Sequence, residues 1–189
     1  MRKSIKCLST IAVIMCVIII TSIPAFAFPS TDMLNISSHT QLQQKSNWCW
    51  AACSVTTLKY YGKNVTQTGF VNYVFNTNTA PNNTGSMQNV QYGLQHWNKT
   101  GTIYNSYVDY STVISNIYNG NPIFAGVVYK NNTGGHMLLI VGYDGTSSSN
   151  GYVGYFDPGD NSIKLRSYSS MKNNSVYSWQ QSIKSIITY

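Results

Sequence analysis

The chain has 189 residues, of which twelve are basic and five are acidic, and 43% of its side chains are hydrophobic. That length fits one domain with a core of its own. Beyond the N-terminus the basic residues are scattered singly, which argues against a nucleic-acid-binding protein because such proteins concentrate positive charge in a patch or stripe.

The first 27 residues have the pattern of a signal peptide. Positive residues near the start precede an apolar run from Ile11 to Ile20, and Ala25-Phe26-Ala27 fits a cleavage site. The run is short for a bilayer span and no positive cluster follows it, so we expect cleavage rather than a retained anchor. The mature chain 28–189 would carry nine basic and five acidic residues, a net charge of +4. We expect a secreted, extracellular protein without stable membrane insertion, with association to anionic cell walls as an alternative.

Two cysteines, Cys49 and Cys53, remain in the mature chain. They lie four positions apart in a predicted helix, where both side chains point along one face. Because a bridge between them would distort the backbone, we expect two free thiols rather than a disulfide.

Periodicity predicts the elements in chain order, after an extended N-terminal arm over 28–40 that precedes a single domain over 41–189. Apolar residues at helical spacing predict helices over 48–61, 68–75, 86–97 and 112–118. Runs rich in β-branched and aromatic residues predict strands over 123–129, 136–143, 152–156, 163–166 and 182–188. Since the helices come first, we expect an α+β fold in which N-terminal helices pack against a C-terminal antiparallel sheet.

Cys49 is the candidate nucleophile. It lies in the first turn of the first predicted helix, with Asn47 as a plausible N-cap, and the positive end of the helix dipole favours a thiolate there. Its backbone N–H would lack an intrahelical acceptor and could face an oxyanion. The alternative is a small buried apolar cysteine, which is the interpretation we give to Cys53.

Gln43, six positions before the cysteine, is the candidate second donor to an oxyanion. Its side-chain amide would act beside the backbone N–H of Cys49. Gln44 and Gln41 are alternatives for this role. If Gln43 has no catalytic function, it is simply an exposed polar residue.

His136 and Asp157 are the candidate base and its partner. His136 follows Gly134-Gly135 at the start of a strongly apolar strand, and Asp157 ends the next strand, just before Pro158. A hairpin between the two strands brings the end of the second beside the start of the first, so these side chains should converge. Asp160 and Asn161 are alternatives to Asp157 as the partner of His136. If the segment has no catalytic function, it is simply a turn.

Together these residues resemble the papain-like cysteine peptidases, in particular the small bacterial branch that includes effector proteases and bacteriocin leader-processing peptidases. The resemblance rests on Gln43, on Cys49-Trp50-Ala51-Ala52 six positions later, on Gly135-His136 followed by Ile140-Val141-Gly142-Tyr143, and on Asp157-Pro158. It implies a papain-like fold and a protein or peptide substrate, with no cofactor and no metal. It also implies that Cys49 is the nucleophile, His136 the general base, Asp157 its partner and Gln43 the oxyanion donor.

The predicted signal peptide and the lack of a transporter domain favour a secreted peptidase over a leader-processing one. Two other functions stay open. A cell-wall amidase or endopeptidase would use the same Cys–His chemistry on a different substrate. A non-catalytic secreted binding or toxin module would keep the fold alone.

Overall fold

This computed structural model describes residues 28–189. The predicted signal peptide lies outside the described residues. Within 28–189, no helix has both the length and the apolar character needed to cross a membrane.

Within residues 28–189, four of the five α-helices match the helices predicted from periodicity. Three of these four have a side-chain N-cap, for example Ser86, which forms a reciprocal capping box with Asn89 at the start of the third helix. The fifth helix is only five residues long and was not predicted. The helices are α1 (Cys49–Tyr60), α2 (Gln67–Phe75), α3 (Met87–His96), α4 (Tyr110–Tyr118) and α5 (Tyr168–Lys172), and Ser37–His39 forms a 3-10 turn.

The strands in the described part of the chain form one antiparallel sheet of seven. Six of them follow the order β2-β7-β3-β4-β5-β6, and β1 pairs with β4. The predicted α+β fold, with N-terminal helices and a C-terminal antiparallel sheet, is confirmed. The strands are β1 (Thr31–Met33), β2 (Lys99–Tyr104), β3 (Ile123–Tyr129), β4 (Gly135–Asp144), β5 (Tyr152–Asp157), β6 (Ser162–Ser167) and β7 (Tyr177–Thr188).

Three features of the sheet differ from the predictions. The segment predicted as an extended arm contributes β1, whose Met33 pairs with Gly142 of β4. The edge strand β2 was not predicted, because its partly exposed side chains show no clear alternation. Strand β7 starts at Tyr177 rather than 182, since polar, exposed Gln180 and Gln181 interrupt its apolar pattern.

The core lies between α1 and the sheet. Helix α1 packs against β4, and its residues 50–58 are all buried. Trp50, one residue after the candidate nucleophile, is enclosed by the rings of Phe70 and Phe75, with centroids 5.7 Å away in each case. In β4, the run from Met137 to Tyr143 is buried throughout, as expected for a central strand covered on both faces. The start of α1 and the start of β4 are thereby fixed by the core.

Candidate active site

A cleft of about 710 Å³ opens between the start of α1 and the sheet. It contains two of the four candidate residues, Cys49 on the helical side and His136 on the sheet side. Its other walls come from the loop before α3 and from β3 and β7. The lining residues are Ser46, Asn47, Cys49, Trp50, Thr84, Gly85, Met87, Asn105, Gly126, Val127, Val128, Gly134, Gly135, His136, Met137, Gln180 and Gln181.

Cys49 is the first residue of α1 and is partly exposed to the cleft. As the first helical residue it has no intrahelical acceptor for its N–H. The residue before it, Trp48, occupies the N-cap position and forms no side-chain cap. The prediction that Asn47 caps this helix is therefore wrong. The Asn47 side chain instead donates to the carbonyl of Asn82, 2.8 Å away, because the polar loop after α2 passes close by.

That loop holds the segment before the nucleophile in place. Its carbonyl oxygens accept hydrogen bonds from both tryptophans that flank Cys49: Trp48 Nε1 donates to Pro81 at 2.9 Å and Trp50 Nε1 to Asn83 at 3.1 Å. Lys45 Nζ donates to a third carbonyl of the same loop, at Ala80, 2.5 Å away. The indoles are buried, so these bonds satisfy groups that would otherwise destabilise the fold.

His136 and Asp157 are brought together by the hairpin of β4 and β5. The distance from His136 Nε2 to Asp157 Oδ1 is 2.8 Å. Since Nε2 is engaged by the carboxylate, Nδ1 is the ring nitrogen available to the thiol of Cys49. Burial lowers the pKa of His136, but hydrogen bonds and charges from Asp157 and Cys49 outweigh it and raise that pKa to about 9. The site therefore favours the imidazolium form.

Asp157 accepts two further hydrogen bonds. The backbone N–H of Gly159 donates to Oδ1 at 3.0 Å, and Lys164 Nζ donates to Oδ2 at 2.9 Å. Burial alone would raise the pKa of this carboxyl. The bonds from His136, Lys164 and Gly159 lower it well below its ordinary value, so Asp157 stays a carboxylate.

The two alternatives to Asp157 as the partner of His136 do not contact its imidazole. The carboxylate of Asp160 binds Lys164 Nζ at 2.5 Å and accepts from Ser162, and it is exposed. Asn161 occupies a turn with a positive φ of 55°. The structure thus places Asp157, and neither alternative, against His136.

Gln43 lies beside Asp157 in space, since its backbone N–H donates to the carbonyl of Pro158 at 2.9 Å. Its side-chain Nε2 donates to two carbonyls of its own loop, Lys45 at 3.1 Å and Ser46 at 2.9 Å. Its Oε1 is buried and has no partner within the described residues. The residues that line the cleft do not include Gln43. In this structure its amide is therefore bound to its own loop and does not line the cleft.

The neighbouring glutamines occupy different surroundings. The side chain of Gln67, on α2, accepts from the backbone N–H of Gln44 at 3.0 Å and donates to the carbonyl of Leu42 at 2.8 Å. These two bonds hold the backbone on either side of Gln43. Gln44 itself is exposed, and the amide of Gln41 donates to the adjacent carbonyl of Thr40.

Cys53 lies one turn further along α1 and is fully buried. Its Sγ is 3.5 Å from the carbonyl oxygen of Met137, to which the thiol donates. Burial, and to a smaller extent the negative charges of Cys49 and Asp157, raise the pKa of this thiol well above its ordinary value. Both cysteines are free, as their spacing predicted. Cys53 is therefore an inert core thiol.

Lys164 and Gln67 are the site residues that sequence reasoning missed. Lys164 lies on β6, two residues after Ser162, which pairs with Asp157. Because alternate residues of a strand share a face, that register would have placed Lys164 near the carboxylate. Gln67 gave no such signal, because its contacts with Leu42 and Gln44 are non-local. Within residues 28–189, no group of three or more His, Cys, Asp or Glu side chains could hold a metal ion.

Comparisons with known proteins identify the family and the fold. A model of the Peptidase_C39 like family matches residues 33–187. The peptidase domain of Streptococcus ComA, a bifunctional ABC transporter involved in quorum sensing, has a TM-score of 0.55 at 14% identity, over 79% of this chain and 97% of that one. A double-glycine-motif protease from an AMS/PCAT transporter, solved with a leader peptide, has a TM-score of 0.47 at 11% identity, over 85% and 95%. A search of curated proteins finds no match. The likeness to the ComA domain confirms the predicted papain-like fold.

Proposed function

This chain belongs to the Peptidase_C39 like family and is a papain-like cysteine peptidase, and we propose that it is a secreted bacterial enzyme that hydrolyses peptide bonds through Cys49, His136 and Asp157. One observation carries the choice of residues. The imidazole of His136 stands between the Asp157 carboxylate and the Cys49 thiol at the wall of an open cleft. A nucleophile, a base and a group that orients the base are the parts needed for acyl transfer.

The reaction begins with the thiolate of Cys49 attacking the carbonyl carbon of the scissile peptide bond. The electron pair of that carbonyl moves to its oxygen, and the backbone N–H of Cys49 stabilises the oxyanion. The imidazolium of His136 then protonates the leaving amine as the C–N bond breaks. A water molecule, deprotonated by His136, attacks the thioester. The C–S bond then breaks with its electron pair on sulfur, so release of the acid restores the thiolate and the imidazolium.

Asp157 serves this sequence by fixing the imidazole. Its bond to Nε2 leaves Nδ1 available to the sulfur of Cys49 and favours the charged ring that pairs with a thiolate. Lys164 and the N–H of Gly159 fix the carboxylate in turn, so it remains an acceptor through the cycle. By these contacts Lys164 and the N–H of Gly159 would both act as positioning groups for the carboxylate of Asp157.

Gln43 would supply the second oxyanion donor after a side-chain rotation. Its Nε2 would exchange the carbonyls of Lys45 and Ser46 for the substrate oxygen. The Gln67 bonds to its neighbours support this role, because they fix the backbone from which the side chain turns. The unpaired, buried Oε1 further supports it, since the present rotamer leaves an acceptor unsatisfied.

Secretion rests on the N-terminal pattern of positive residues, an apolar run and Ala25-Phe26-Ala27. Expression of the full chain in a bacterial host, followed by N-terminal sequencing of the protein in the medium, tests it directly. A mature N-terminus at Phe28 supports the proposal, and retention of Met1 in the membrane fraction contradicts it.

The peptidase activity is tested with a proteome-derived peptide library whose cleavage products are identified by mass spectrometry. The wild type should generate new termini, and Cys49→Ser should generate none. The same two proteins are compared on isolated bacterial cell walls. Release of wall fragments without cleavage of any library peptide would favour a cell-wall amidase. If Cys49→Ser retained the biological activity of the wild type, a non-catalytic binding or toxin module would be favoured.

A further inference from the structure

A second groove of about 750 Å³ lies next to the catalytic cleft. It is lined by hydroxyl, amide and aromatic groups and by two lysines, and none of its lining residues is acidic. Gln180 lines both the groove and the cleft. We call it the lysine groove, and its lining residues are Ser106, Tyr107, Lys130, Ser169, Lys172, Asn173, Ser178, Trp179 and Gln180.

We propose that the lysine groove binds acidic side chains of the polypeptide that is cleaved at Cys49. The proposal rests on the proposed function and extends it, because it assigns a substrate class: peptides with an aspartate or glutamate close to the cleaved bond.

The first argument is continuity along β3. Gly126 and Val128 line the cleft, and Lys130, two residues beyond Val128, lines the lysine groove. Gly126 and Val128 share one face of β3, and Lys130 follows directly after the end of that strand at Tyr129, where its backbone N–H still donates to the carbonyl of Val176 at 2.9 Å. On the partner strand β7, Gln181 lines the cleft and pairs with Gly126, whereas Ser178 lines the groove and pairs with Val128. The register shifts between these two pairs, so β7 has one extra residue there. An extended peptide leaving the cleft can therefore follow the sheet into the groove.

The second argument is that both lysines lack a carboxylate partner. Within residues 28–189, every ion pair involves Asp157 or Asp160, which are bound to His136 and Lys164. Lys130 is exposed. Two like charges at one groove with no acidic residue among its walls create a positive potential, which attracts anionic side chains.

The third argument is that Lys172 is held in position. Its Nζ lies 5.1 Å from the ring centroid of Tyr107 and 4.8 Å from that of Tyr168. Cation–π contacts of this kind restrict the side chain without neutralising it. Asp109 lines a separate pocket together with Lys172 and the two tyrosines, but its carboxylate accepts from Thr112 and Ser111 as the N-cap of α4 and forms no ion pair with Lys172. Lys172 is thus ordered and available to a substrate.

The spacing sets where the acidic residue falls in the substrate. Lys130 in the groove lies two residues after Val128 at the cleft edge, which is about 7 Å of extended chain. A peptide in extended conformation covers that distance, together with the path from the sulfur of Cys49, in about two to four residues. The favoured position should therefore be fixed, on one side of the cleaved bond and within about four residues of it.

Cleavage profiling of a proteome-derived peptide library tests the proposal. The wild type should show enrichment of aspartate and glutamate at one such position. The double variant Lys130→Gln/Lys172→Gln should still cleave the library but lose the enrichment. A matched double variant, Lys59→Gln/Lys63→Gln, removes the same charge from the end of α1 and the turn that follows it, and should retain the enrichment.

A peptide pair gives the magnitude. One peptide cleaved by the wild type is compared with its Glu→Gln or Asp→Asn counterpart at the favoured position. We expect kcat/KM to fall about three- to tenfold, mainly through KM, and the difference to shrink in high salt and to vanish in the groove variant.

The outcomes separate this proposal from the proposed function. Cleavage without acidic enrichment, or enrichment that survives in the groove variant, would overturn the lysine-groove proposal and leave the peptidase intact. No cleavage of any peptide would overturn both. Loss of binding to anionic cell-wall polymer or to nucleic acid in the groove variant, with peptide preference unchanged, would show that the lysines serve a different partner.

Discussion

The imidazole of His136 and the carboxylate of Asp157 are joined by a hydrogen bond of 2.8 Å between Nε2 and Oδ1, although the residues are 21 positions apart. The hairpin of β4 and β5 creates this contact, because antiparallel pairing places the end of β5 beside the start of β4. The bond fixes which ring nitrogen can face Cys49. The chemistry of the site therefore follows from the register of two strands.

The first prediction concerns pH. Although burial lowers the pKa of His136, Asp157 and Cys49 raise it to about 9, from an ordinary value of 6.5. The charged ring therefore stabilises the folded state fully below about pH 6.5, and that contribution is lost as pH rises through about 9. We expect kcat/KM to hold up to about pH 9 and to fall above it. The free energy of unfolding in urea should decline between about pH 6.5 and pH 9, and His136→Asn should remove that decline. A decline of equal size in His136→Asn would contradict this assignment.

The second prediction concerns Lys164. Lys164→Met removes the bond to Oδ2 of Asp157 while leaving the bond from His136. A hydrogen bond to a charged group is worth enough to lower kcat about tenfold when it positions the base. Loss of the cation also lets Asp157 act on the imidazolium more strongly, so the alkaline limb of the rate profile should move to higher pH.

Lys164→Arg is the matched control for that variant. Because it retains a cation that can reach Asp157, it should recover most of kcat and the original alkaline limb. A structural role alone would lower the stability of Lys164→Met and leave the pH profile where it was.

The third prediction compares two adjacent glutamines. Gln43→Ala should lower kcat by about 10²- to 10³-fold, since one oxyanion donor is worth about 2.7–4 kcal/mol in the transition state. Gln44→Ala removes an exposed side chain and should leave kcat unchanged, because Gln67 binds the backbone of Gln44 rather than its side chain. Equal kcat values for the two variants would remove Gln43 from the mechanism.

The fourth prediction concerns Gly85, which lies against the indole of Trp50. A Cβ at this position would be 2.2 Å from Trp50 Cδ2, so Gly85→Ala must displace a ring that the core holds rigidly. We expect a loss of about 1–3 kcal/mol in the free energy of unfolding. Since Trp50 follows Cys49, activity should fall as well. Thr84→Ala, at the neighbouring exposed position, should leave the stability unchanged, and equal stabilities for the two variants would be inconsistent with this contact.

Sequence patterns predicted the parts of the fold that depend on local periodicity. Helices α2 to α4 have apolar faces at helical spacing, and β4 is an unbroken apolar run, so their type was evident. The sequence also indicated the catalytic candidates, through the order of a thiol, a glycine-flanked histidine and an aspartate at a strand end. The contact between His136 and Asp157 followed because a hairpin connection determines its own geometry.

The features that were missed depend on distant partners. Strand β2 is only partly buried and is a strand because β7 pairs with it. Asn47 has the side chain of a good N-cap, but Asn82 offers it a carbonyl that no local rule predicts. Lys164 is an ordinary strand lysine until the register of β5 and β6 places it beside Asp157. Tertiary contacts, which sequence periodicity does not report, decided each of these.

The central claim is that His136 activates Cys49, and alkylation by limiting iodoacetamide tests it most directly. The two cysteines are followed separately by mass spectrometry from pH 5 to pH 9, in the wild type and in His136→Ala. The account predicts that Cys49 reacts rapidly even at pH 6, where an ordinary thiol is almost wholly protonated, and that His136→Ala abolishes this reaction at pH 6. Cys53 is buried, so iodoacetamide should not modify it in either protein. Its lack of modification shows that both proteins are folded. Slow reaction of Cys49 at pH 6 in the wild type, or a rate that His136→Ala leaves unchanged, would contradict the account.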